Sequence, residues 1–438
     1  MLTTTGYALR RCVFETTLAC DLKCLHCGSR AGRRRPDELE LHEIEGLFAS
    51  LKALSCGWLT LSGGEPMTRP DWAEIVLAAS RAGLRAGMIT NAVAFDGDAA
   101  RLSADNGLAA VSFSLDGASA PTHDFIRNRA GHFARIRGAM DAARCAGLPF
   151  GVITHLNRRN HREIEAIHDL VTGEGAFAWQ VQLGTDMGNM RDHPEILVAP
   201  ESLPGIEAAL ARCIRRGGAR VKVSDSIGYY GPHERTLRRS NVVAGFTGCK
   251  AGVHVLGIES NGNVKGCLSI MAGYNDAGAE YVEGNIRDTD LVELWGDPNA
   301  FAYNRRWAME SLGGACRECE RARRCRGGCL AKRVASGGGL ENPFCVHRVL
   351  EDRAPREVVS AGRAAAIVLA SLLGASTQAC SRAADTKLPD SGMDAGDDAG
   401  TDTPTDVSTD YSDPGPTDTD TPTENTDYSD PGPVDAGW

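Results

Sequence analysis

The stretch Cys20-Asp21-Leu22-Lys23-Cys24-Leu25-His26-Cys27 decides how the rest of the chain is read. Its three cysteines follow the apolar segment Cys12 to Leu18 with the spacing C-x3-C-x2-C. Three thiolates this close suit three irons of a cubane iron-sulfur cluster and leave the fourth iron without a protein ligand. An open iron can bind a small molecule through an amine and a carboxylate and pass it one electron. That is the chemistry that cleaves S-adenosylmethionine (SAM) to a carbon radical. A zinc knuckle would ask for a fourth Cys or His at pair spacing, and His26 instead lies between two of the cysteines.

Outward from this loop, between Leu9 and about Val223, short apolar runs alternate with longer amphipathic ones. The runs predict strands at Arg11 to Thr16, Trp58 to Leu61, Arg85 to Thr90, Ala109 to Leu115, Phe150 to His155 and Trp179 to Leu183. Helical patterns fall between and after them at Leu41 to Leu54, Trp72 to Ala82, Gly97 to Ser103, Phe133 to Ala146, Arg162 to Val171 and Ser202 to Arg215. Six beta-alpha units in series imply an α/β fold, a parallel sheet curled into a full or partial barrel with its chemistry at the strand carboxyl ends. The cysteine loop follows the first of these strands. The second ends in Ser62-Gly63-Gly64-Glu65-Pro66, where glycines let the backbone approach a ligand and a carboxylate can accept from an ammonium. Thr90-Asn91 and Ser114-Leu115-Asp116-Gly117 close the third and fourth, although turns and helix caps use the same residue types.

At this point the chain resembles the radical SAM superfamily, whose signature is the same cysteine spacing with an aromatic residue or His before the third Cys, the place of His26. The resemblance implies a partial (βα)6 barrel in which Cys20, Cys24 and Cys27 hold a [4Fe-4S] cluster. It also implies that Gly63, Gly64, Glu65 and Pro66 hold the SAM methionyl group, and that Asn91, Ser114 and Asp116 line the same site. The run His123-Asp124-Phe125-Ile126-Arg127 with Gly131-His132-Phe133 fits the family as well. It makes Arg127 a partner for a SAM or substrate carboxylate, with a surface ion pair as the alternative.

Past Ser224 the rhythm stops and seven cysteines follow, Cys249-x12-Gly262-x4-Cys267, Cys316-x2-Cys319-x5-Cys325-x3-Cys329 and Cys345. A zinc ribbon would use two pairs and leave three of them idle. The spacing resembles the SPASM extension of peptide-modifying radical SAM enzymes. By that resemblance Cys316, Cys319, Cys325 and Cys345 hold one auxiliary [4Fe-4S] cluster, and Cys249, Cys267 and Cys329 another. The latter lacks a further Cys after Cys249, so it has either an open iron or a non-Cys ligand such as His254. Cys12, Cys56, Cys145 and Cys213 sit in apolar or helical contexts and read as core. The segments Glu283-Gly284-Asn285-Ile286, Leu291 to Trp295 and Asn342-Pro343-Phe344 read as packing segments of the extension. The expected domains are 1–235 (radical SAM core), 236–352 (SPASM), 353–384 (a linker with a short apolar run) and 385–438 (a disordered acidic tail).

The net charge of -10 hides an asymmetry. Residues 385–438 hold 15 acidic residues and one Lys, leaving 46 basic against 42 acidic in the remainder. No basic stripe argues for nucleic acid, and the mild positive balance suits an acidic peptide. Fifteen cysteines without an apolar amino-terminal leader in Met1 to Arg11 point to reducing cytoplasm and metal binding in place of disulfides. The run Ala364 to Ala375 is short for a membrane span, and with Cys380 it has the layout of a fused lipoprotein-signal remnant. Inside the tail Thr409-Asp410-Tyr411-Ser412-Asp413-Pro414-Gly415-Pro416 returns at Thr426 to Pro433. This resembles tandem core peptides of ribosomally made, modified natural products, with Tyr411 joined to Asp413 and Tyr428 to Asp430. The combined expectation is a peptide maturase fed by an electron donor such as flavodoxin or ferredoxin. Its peptide substrate is in cis or in trans, the alternative to the tail being oxidation of a separate protein as in sulfatase maturases. A zinc-binding module and an iron-sulfur electron carrier are the other readings weighed.

Overall fold

The computed structural model describes residues 6–238, 245–270, 279–336 and 339–353. The expected linker and tail, with their apolar run and repeats, lie outside the described residues.

Seven strands run parallel in chain order: β1 (Arg11–Thr17), β2 (Leu59–Gly63), β3 (Ala86–Thr90), β4 (Ala110–Ser114), β5 (Phe150–Leu156), β6 (Ala178–Leu183) and β7 (Arg220–Val223). The helices that return the chain are α1 (Leu41–Ala53), α2 (Trp72–Arg81), α3 (Gly97–Asp105), α4 (Ala120–Arg127), α5 (His132–Cys145), α6 (Ile164–Gly173) and α7 (Leu203–Arg216). Their sequences account for them. α1 buries Ile44, Leu47, Phe48 and Leu51, the spacing of one helical face, and Asp96 caps α3 by accepting from the amides of Asp98 and Ala99 at 3.1 and 3.0 Å. The carboxyl ends of β1 to β6 share one edge, so the cysteine loop and the turns after β2, β3 and β4 are neighbours there.

Three features differ from the sequence reading. The parallel series has a seventh strand, β7, whose alternating Arg-Val-Lys-Val buries only Val221 and carries little apolar signal. Helix α4 was not expected. In addition, the second cysteine field does not leave the sheet. β8 (Val255–Ile258) pairs parallel with β1 from Arg11–Val255 to Phe14–Ile258, and β9 (Asn263–Lys265) and β10 (Gly284–Asn285) follow antiparallel. Among the described residues the sheet order is β10-β9-β8-β1-β2-β3-β4-β5-β6-β7, an open sheet whose two ends do not pair. A buried charge network accompanies the β1–β8 seam. Arg35 binds Glu15 at 2.5 Å, Ser260 Oγ donates to Glu15 at 2.9 Å, and Lys265 meets Glu259 at 2.8 Å. Charges this deep need full pairing to be tolerated. Glu38 continues the network by accepting from Thr17 Oγ1 and the Leu18 amide, each at 2.9 Å, at the start of the cysteine loop.

Of the four cysteines read as core, Cys12, Cys56 and Cys213 are buried, but Cys145 is exposed at the end of α5. Leu291, Leu294 and Trp295 join the main core as expected of a packing segment. No helix among the described residues is long and apolar enough to cross a membrane.

Glu207 of α7 is fully buried, accepts from the His233 amide at 2.9 Å, and keeps Oε2 without a partner against Gly231. Burial pushes its pKa up to about 7. Between about pH 4.3 and 7 the unfolded chain has released a proton that the folded chain retains, so this group's contribution to stability falls as pH rises and levels off above that window. Glu207→Gln should remove this fall. Urea denaturation of anaerobically purified protein should find the variant gaining on the parent by on the order of 3 kcal/mol between pH 4.5 and 7.5. A difference independent of pH would show that the carboxyl does not titrate there.

Candidate active site and auxiliary centres

The cysteine loop is fastened from two sides. From β2, the Gly64 amide donates to Thr17 O at 2.8 Å and the Glu65 amide to Ala19 O at 2.7 Å. A Cβ on Gly63 would lie 2.2 Å from Thr17 O, and one on Gly64 would lie 2.1 Å from Ala19 O, so this approach requires glycine at both positions. From beyond β6, Asn189 donates its amide to Cys27 O at 2.8 Å and its side chain to Cys24 O at 3.0 Å. Arg30 answers by binding Gly188 O at 2.7 Å and Asp192 at 2.5 Å. Gly188, at φ 59°, has the Cys27 carbonyl where a Cβ would stand.

Glu65 is buried with both oxygens engaged. It accepts from Thr90 Oγ1 at 2.8 Å, the Asn91 amide at 2.7 Å and the Met67 amide at 3.2 Å. Burial outweighs these bonds and raises its pKa to about 7. Its carboxylate therefore ties the end of β2 to the end of β3, and the expected ammonium acceptor is better sought in the surrounding backbone. Pro66 opens the short helical turn Pro66–Thr68 that follows. Asn91 faces the cysteines, its Nδ2 donating to Asp21 at 2.7 Å with Cys20 Sγ 3.9 Å away.

Asp116 has no exposed surface, which removes it from direct contact with a ribose. Oδ1 accepts from the His155 amide at 2.8 Å, and Oδ2 lies 2.7 Å from Arg127 Nε and 3.5 Å from His26 Nε2. Arg127 is thus a buried ion-pair partner, and Nη1 sits 3.8 Å from Cys24 Sγ. Ser114 is half-buried at the end of β4, on the same edge. Burial pushes the Cys24 thiol up to about 11, opposed by Arg127, and the Cys20 thiol up to about 12. Thiols with such pKa values ionise on binding metal.

Two histidines connect these strand ends. The Asp116 amide donates to His123 Nδ1 at 3.0 Å, His123 Nε2 meets His132 Nδ1 at 2.7 Å, and His132 Nε2 meets Asn91 O at 2.8 Å. Because an amide can only donate and a carbonyl only accept, both rings are neutral and each carries its proton on Nε2. Burial lowers His123 to about 3 and His132 to about 4, with the Arg127 charge adding to it. His26 and His155, with ring centroids 4.3 Å apart, are also driven down by burial.

The other seven cysteines form two groups. Cys316, Cys319, Cys325 and Cys345 line one open cavity with Tyr230, Arg321 and Arg348. Cys316 Sγ accepts from the Asn342 amide and Cys319 Sγ from the Arg321 amide, each at 3.4 Å. Burial and the neighbouring Cys345, Cys316 and Cys319 raise Cys325 to about 12. Cys249, Cys267 and Cys329 pack around Ala251, Ile270, Leu330 and Ala331. Burial raises Cys329, and Cys249 and Cys267 add to it. His254 turns its Nδ1 to Ala8 O at 3.0 Å. Tyr229 stands between the groups, its hydroxyl accepting from the Cys329 amide at 3.0 Å and its carbonyl facing Cys345 Sγ at 3.9 Å. Among the described residues no set of three or more His, Cys, Asp or Glu side chains converges on a single-ion position. A cubane, unlike a single ion, spreads its thiolates over separate corners.

Three thiols on a glycine-cradled loop, with two further thiol groups behind them, are matched by two family profiles. Residues 14–171 match the Radical SAM superfamily and 249–320 the SPASM iron-sulfur cluster-binding domain. The chain is a radical SAM enzyme with a SPASM domain. Its cofactors are accordingly a [4Fe-4S] cluster with SAM, and auxiliary iron-sulfur clusters in the SPASM domain. Cys325, Cys329 and Cys345 lie past the matched SPASM stretch. An AdoMet-dependent heme synthase of Methanosarcina barkeri is 29% identical over 78% of this chain and 97% of that protein. Mycofactocin maturase MftC of Mycobacterium tuberculosis is 29% identical over 78% of this chain and 84% of that one. The crystal structure of Streptococcus suis SuiB bound to precursor peptide SuiA has the same fold, with a TM-score of 0.61 and 15% identity, covering 77% of this chain and 76% of that one.

The residues that sequence reasoning left out are His155, Asn189, Tyr229 and Lys332. His155 was findable, since it stands at a predicted strand end. Lys332 is buried, donates to Gly184 O and lies 3.8 Å from the centre of the Phe344 ring, and burial lowers it to about 7.

The histidine pair yields a pH test. Below about pH 6.5 the unfolded chain takes up protons that folded His123 and His132 refuse, so stability is lost as pH falls toward their folded values. His132→Leu should flatten the dependence between pH 6.5 and 4.5 by up to about 1.4 kcal/mol per pH unit, measured by urea denaturation at each pH. An unchanged slope would mean that His132 is already protonated in the folded protein.

Proposed function

We propose that this radical SAM enzyme is a peptide maturase that oxidatively modifies or crosslinks Tyr-Ser-Asp units, those of its own carboxyl-terminal segment first. The observation that carries this reading is the repeat itself: two copies of Thr-Asp-Tyr-Ser-Asp-Pro-Gly-Pro on the same chain as a SPASM enzyme. The similarity to mycofactocin maturase and to a SuiB structure titled as bound to a precursor peptide supports it. A covalent tether of 66 residues joins Cys345 to Tyr411. It would supply an effective concentration on the order of millimolar.

In this reading Cys20, Cys24 and Cys27 carry the SAM cluster. Cys316, Cys319, Cys325 and Cys345 carry one auxiliary cluster, and Cys249, Cys267 and Cys329 carry the other. When bound, the first cluster would supply the one-electron reduction of SAM and with it the hydrogen-atom abstraction chemistry of the family. The chain's own residues bind and orient. The backbone of Gly63 to Pro66 and the side chains of Asn91 and Ser114 form the SAM side of the pocket, while Glu65 and Asp116 hold that pocket in shape. A low-potential donor such as flavodoxin or ferredoxin supplies electrons, and the cytoplasm is the compartment that keeps the thiols reduced.

Joining the Tyr411 ring to the Asp413 β-carbon removes two hydrogens. One would leave as a hydrogen atom to the SAM-derived radical, giving 5'-deoxyadenosine, and the other as a proton, its electron taken up by the iron-sulfur groups that the second cysteine field would hold. Mass spectrometry of the chain after anaerobic expression should therefore find the loss of two hydrogens in each repeat, abolished singly by Tyr411→Phe and Tyr428→Phe. An unmodified segment beside active SAM cleavage would move the substrate in trans.

The identity to heme synthase over nearly the whole of that protein favours a second reading, oxidation of a porphyrin side chain. A mass change in an added iron porphyrin, with the repeats untouched, would select it. Either way iron counting tests the auxiliary assignment, since three cubanes give about twelve irons per chain and Cys249→Ala should remove up to about four of them.

A further inference from the structure

Arg127 is the last residue of α4, and the turn after it is fixed by Asn128 in the left-handed conformation at φ 53°. The helix end docks on the cysteine loop through the Leu25 amide, which donates to Ile126 O at 3.0 Å. Arg127 is thereby set between two anions-to-be. Nε is 2.7 Å from Asp116 Oδ2 and Nη1 is 3.8 Å from Cys24 Sγ, with the arginine 8% and the aspartate 0% exposed. The planar fork suits this, since it can present one edge to a carboxylate and another to a thiolate.

We propose that the Asp116–Arg127 pair sets the reduction potential of the cluster on Cys20, Cys24 and Cys27, with Arg127 favouring the reduced form and Asp116 opposing it. The inference rests on the assignment of the SAM cluster to those three cysteines. Reduction adds one electron to the cluster from a low-potential one-electron donor, and no bond in the protein is made or broken. The added negative charge is shared with the thiolates, so a cation and an N–H donor beside Cys24 stabilise the reduced state. A carboxylate at the same depth destabilises it. Burial strengthens both effects by excluding water.

The surroundings leave these two charges in control of the Cys24 side. His26 faces Asp116 Oδ2 at 3.5 Å, the His155 amide binds Oδ1 at 2.8 Å, and His123 Nδ1 accepts from the Asp116 amide at 3.0 Å. Two of these contacts are through uncharged backbone amides, and the rings are held neutral by burial. On the Cys20 side the Asn91 amide lies 3.9 Å from Cys20 Sγ and donates to Asp21 Oδ1 at 2.7 Å, and Glu65 is held by Thr90 and backbone amides. Nothing about Arg127 requires SAM or substrate to be present. The predicted effect is therefore a property of the resting cluster.

The test is a dithionite titration of the anaerobic holoenzyme followed by electron paramagnetic resonance without SAM. The relevant signal is identified by its change when SAM is added afterwards. At the ambient potential where the parent is half reduced, Arg127→Gln should lower the reduced-to-oxidised ratio about tenfold or more, a shift of about 59 mV per tenfold for one electron. Asp116→Asn should raise it, and the double variant should fall between the two. Arg127→Lys, which keeps the charge, should stay closer to the parent than Arg127→Gln, and this comparison stands if Asp116→Asn does not load iron. Opposite signs for the two partners are the outcome that simple loosening of the loop cannot give. Shifts of the same sign, or Gln and Lys variants that coincide with the parent at full iron content, would overturn the proposal. If the parent itself shows no SAM-responsive signal with its auxiliary sites loaded, it is the three-cysteine assignment that fails.

Discussion

The constraint on which this molecule depends is the contact of two backbones. The turn after β2 lies so close to the end of β1 that Thr17 O and Ala19 O occupy the space a side chain at Gly63 or Gly64 would need. Two short amide-to-carbonyl bonds hold that contact, and the cysteine loop begins at the very next residue. A loop whose three thiols are proposed to hold one cluster has to present them in fixed relation, because a cluster with one open corner gains nothing from a mobile protein side. The glycines supply that fixity by removing the space between strands. The carboxylate of Glu65 extends it sideways to β3 through Thr90 and Asn91.

From that contact the polar interior of the strand-end face follows in sequence. Asn91 stands beside Cys20, passes through His132 and His123 to Asp116, and from Asp116 through Arg127 returns to Cys24. The links are hydrogen bonds except for the Asp116–Arg127 ion pair, and the two histidines fit only in one tautomer each. Such a ring of bonds rigidifies the face while leaving its net charge near zero, since Asp116 and Arg127 cancel. The low local dielectric makes the network costly if one member is lost and makes the remaining charges effective at a distance.

The barrel was legible in the sequence because its strands are short apolar runs and its helices have clear one-sided faces. α1, with Ile44, Leu47, Phe48 and Leu51 on one stripe, is the plainest case. β7 escaped because an edge strand with alternating Arg and Lys has little apolar signal, and α4 because its buried face, His123, Ile126 and Arg127, is mostly polar. β8 could not be read at all. Its partner β1 lies some 240 residues away in the chain, and local periodicity contains no information about pairing at that distance. The cysteines stood out in the sequence by number and spacing, whereas the direction of a carboxylate did not. Asp116 and Glu65 stand at strand ends, as a ligand-binding residue would, yet both turn inward to structural partners. Sequence gives the position of a side chain along a strand and is silent on which neighbour has claimed it.

The loop after β6 shows why the two halves of the enzyme behave as one. Its Asn189 holds the carbonyls of Cys24 and Cys27, and five residues earlier its Gly184 carbonyl receives the ammonium of Lys332 from the helix Leu330–Ala335. That helix starts directly after Cys329, whose amide in turn binds Tyr229. A displacement of the helix Leu330–Ala335 would therefore be felt at Gly184 first and at the three-cysteine loop next, through a segment only a few residues long. Burying a lysine for this purpose is costly, because burial disfavours its charge and lowers it to about 7, with only Cys329 and Asp186 opposing that shift. An apolar residue could have packed the same helix more cheaply, but only a donor of that length can bind the carbonyl of Gly184. The geometry thus favours a fixed spacing between the three-cysteine loop and the second cysteine field, and the sheet seam between β1 and β8 joins the same two parts of the chain.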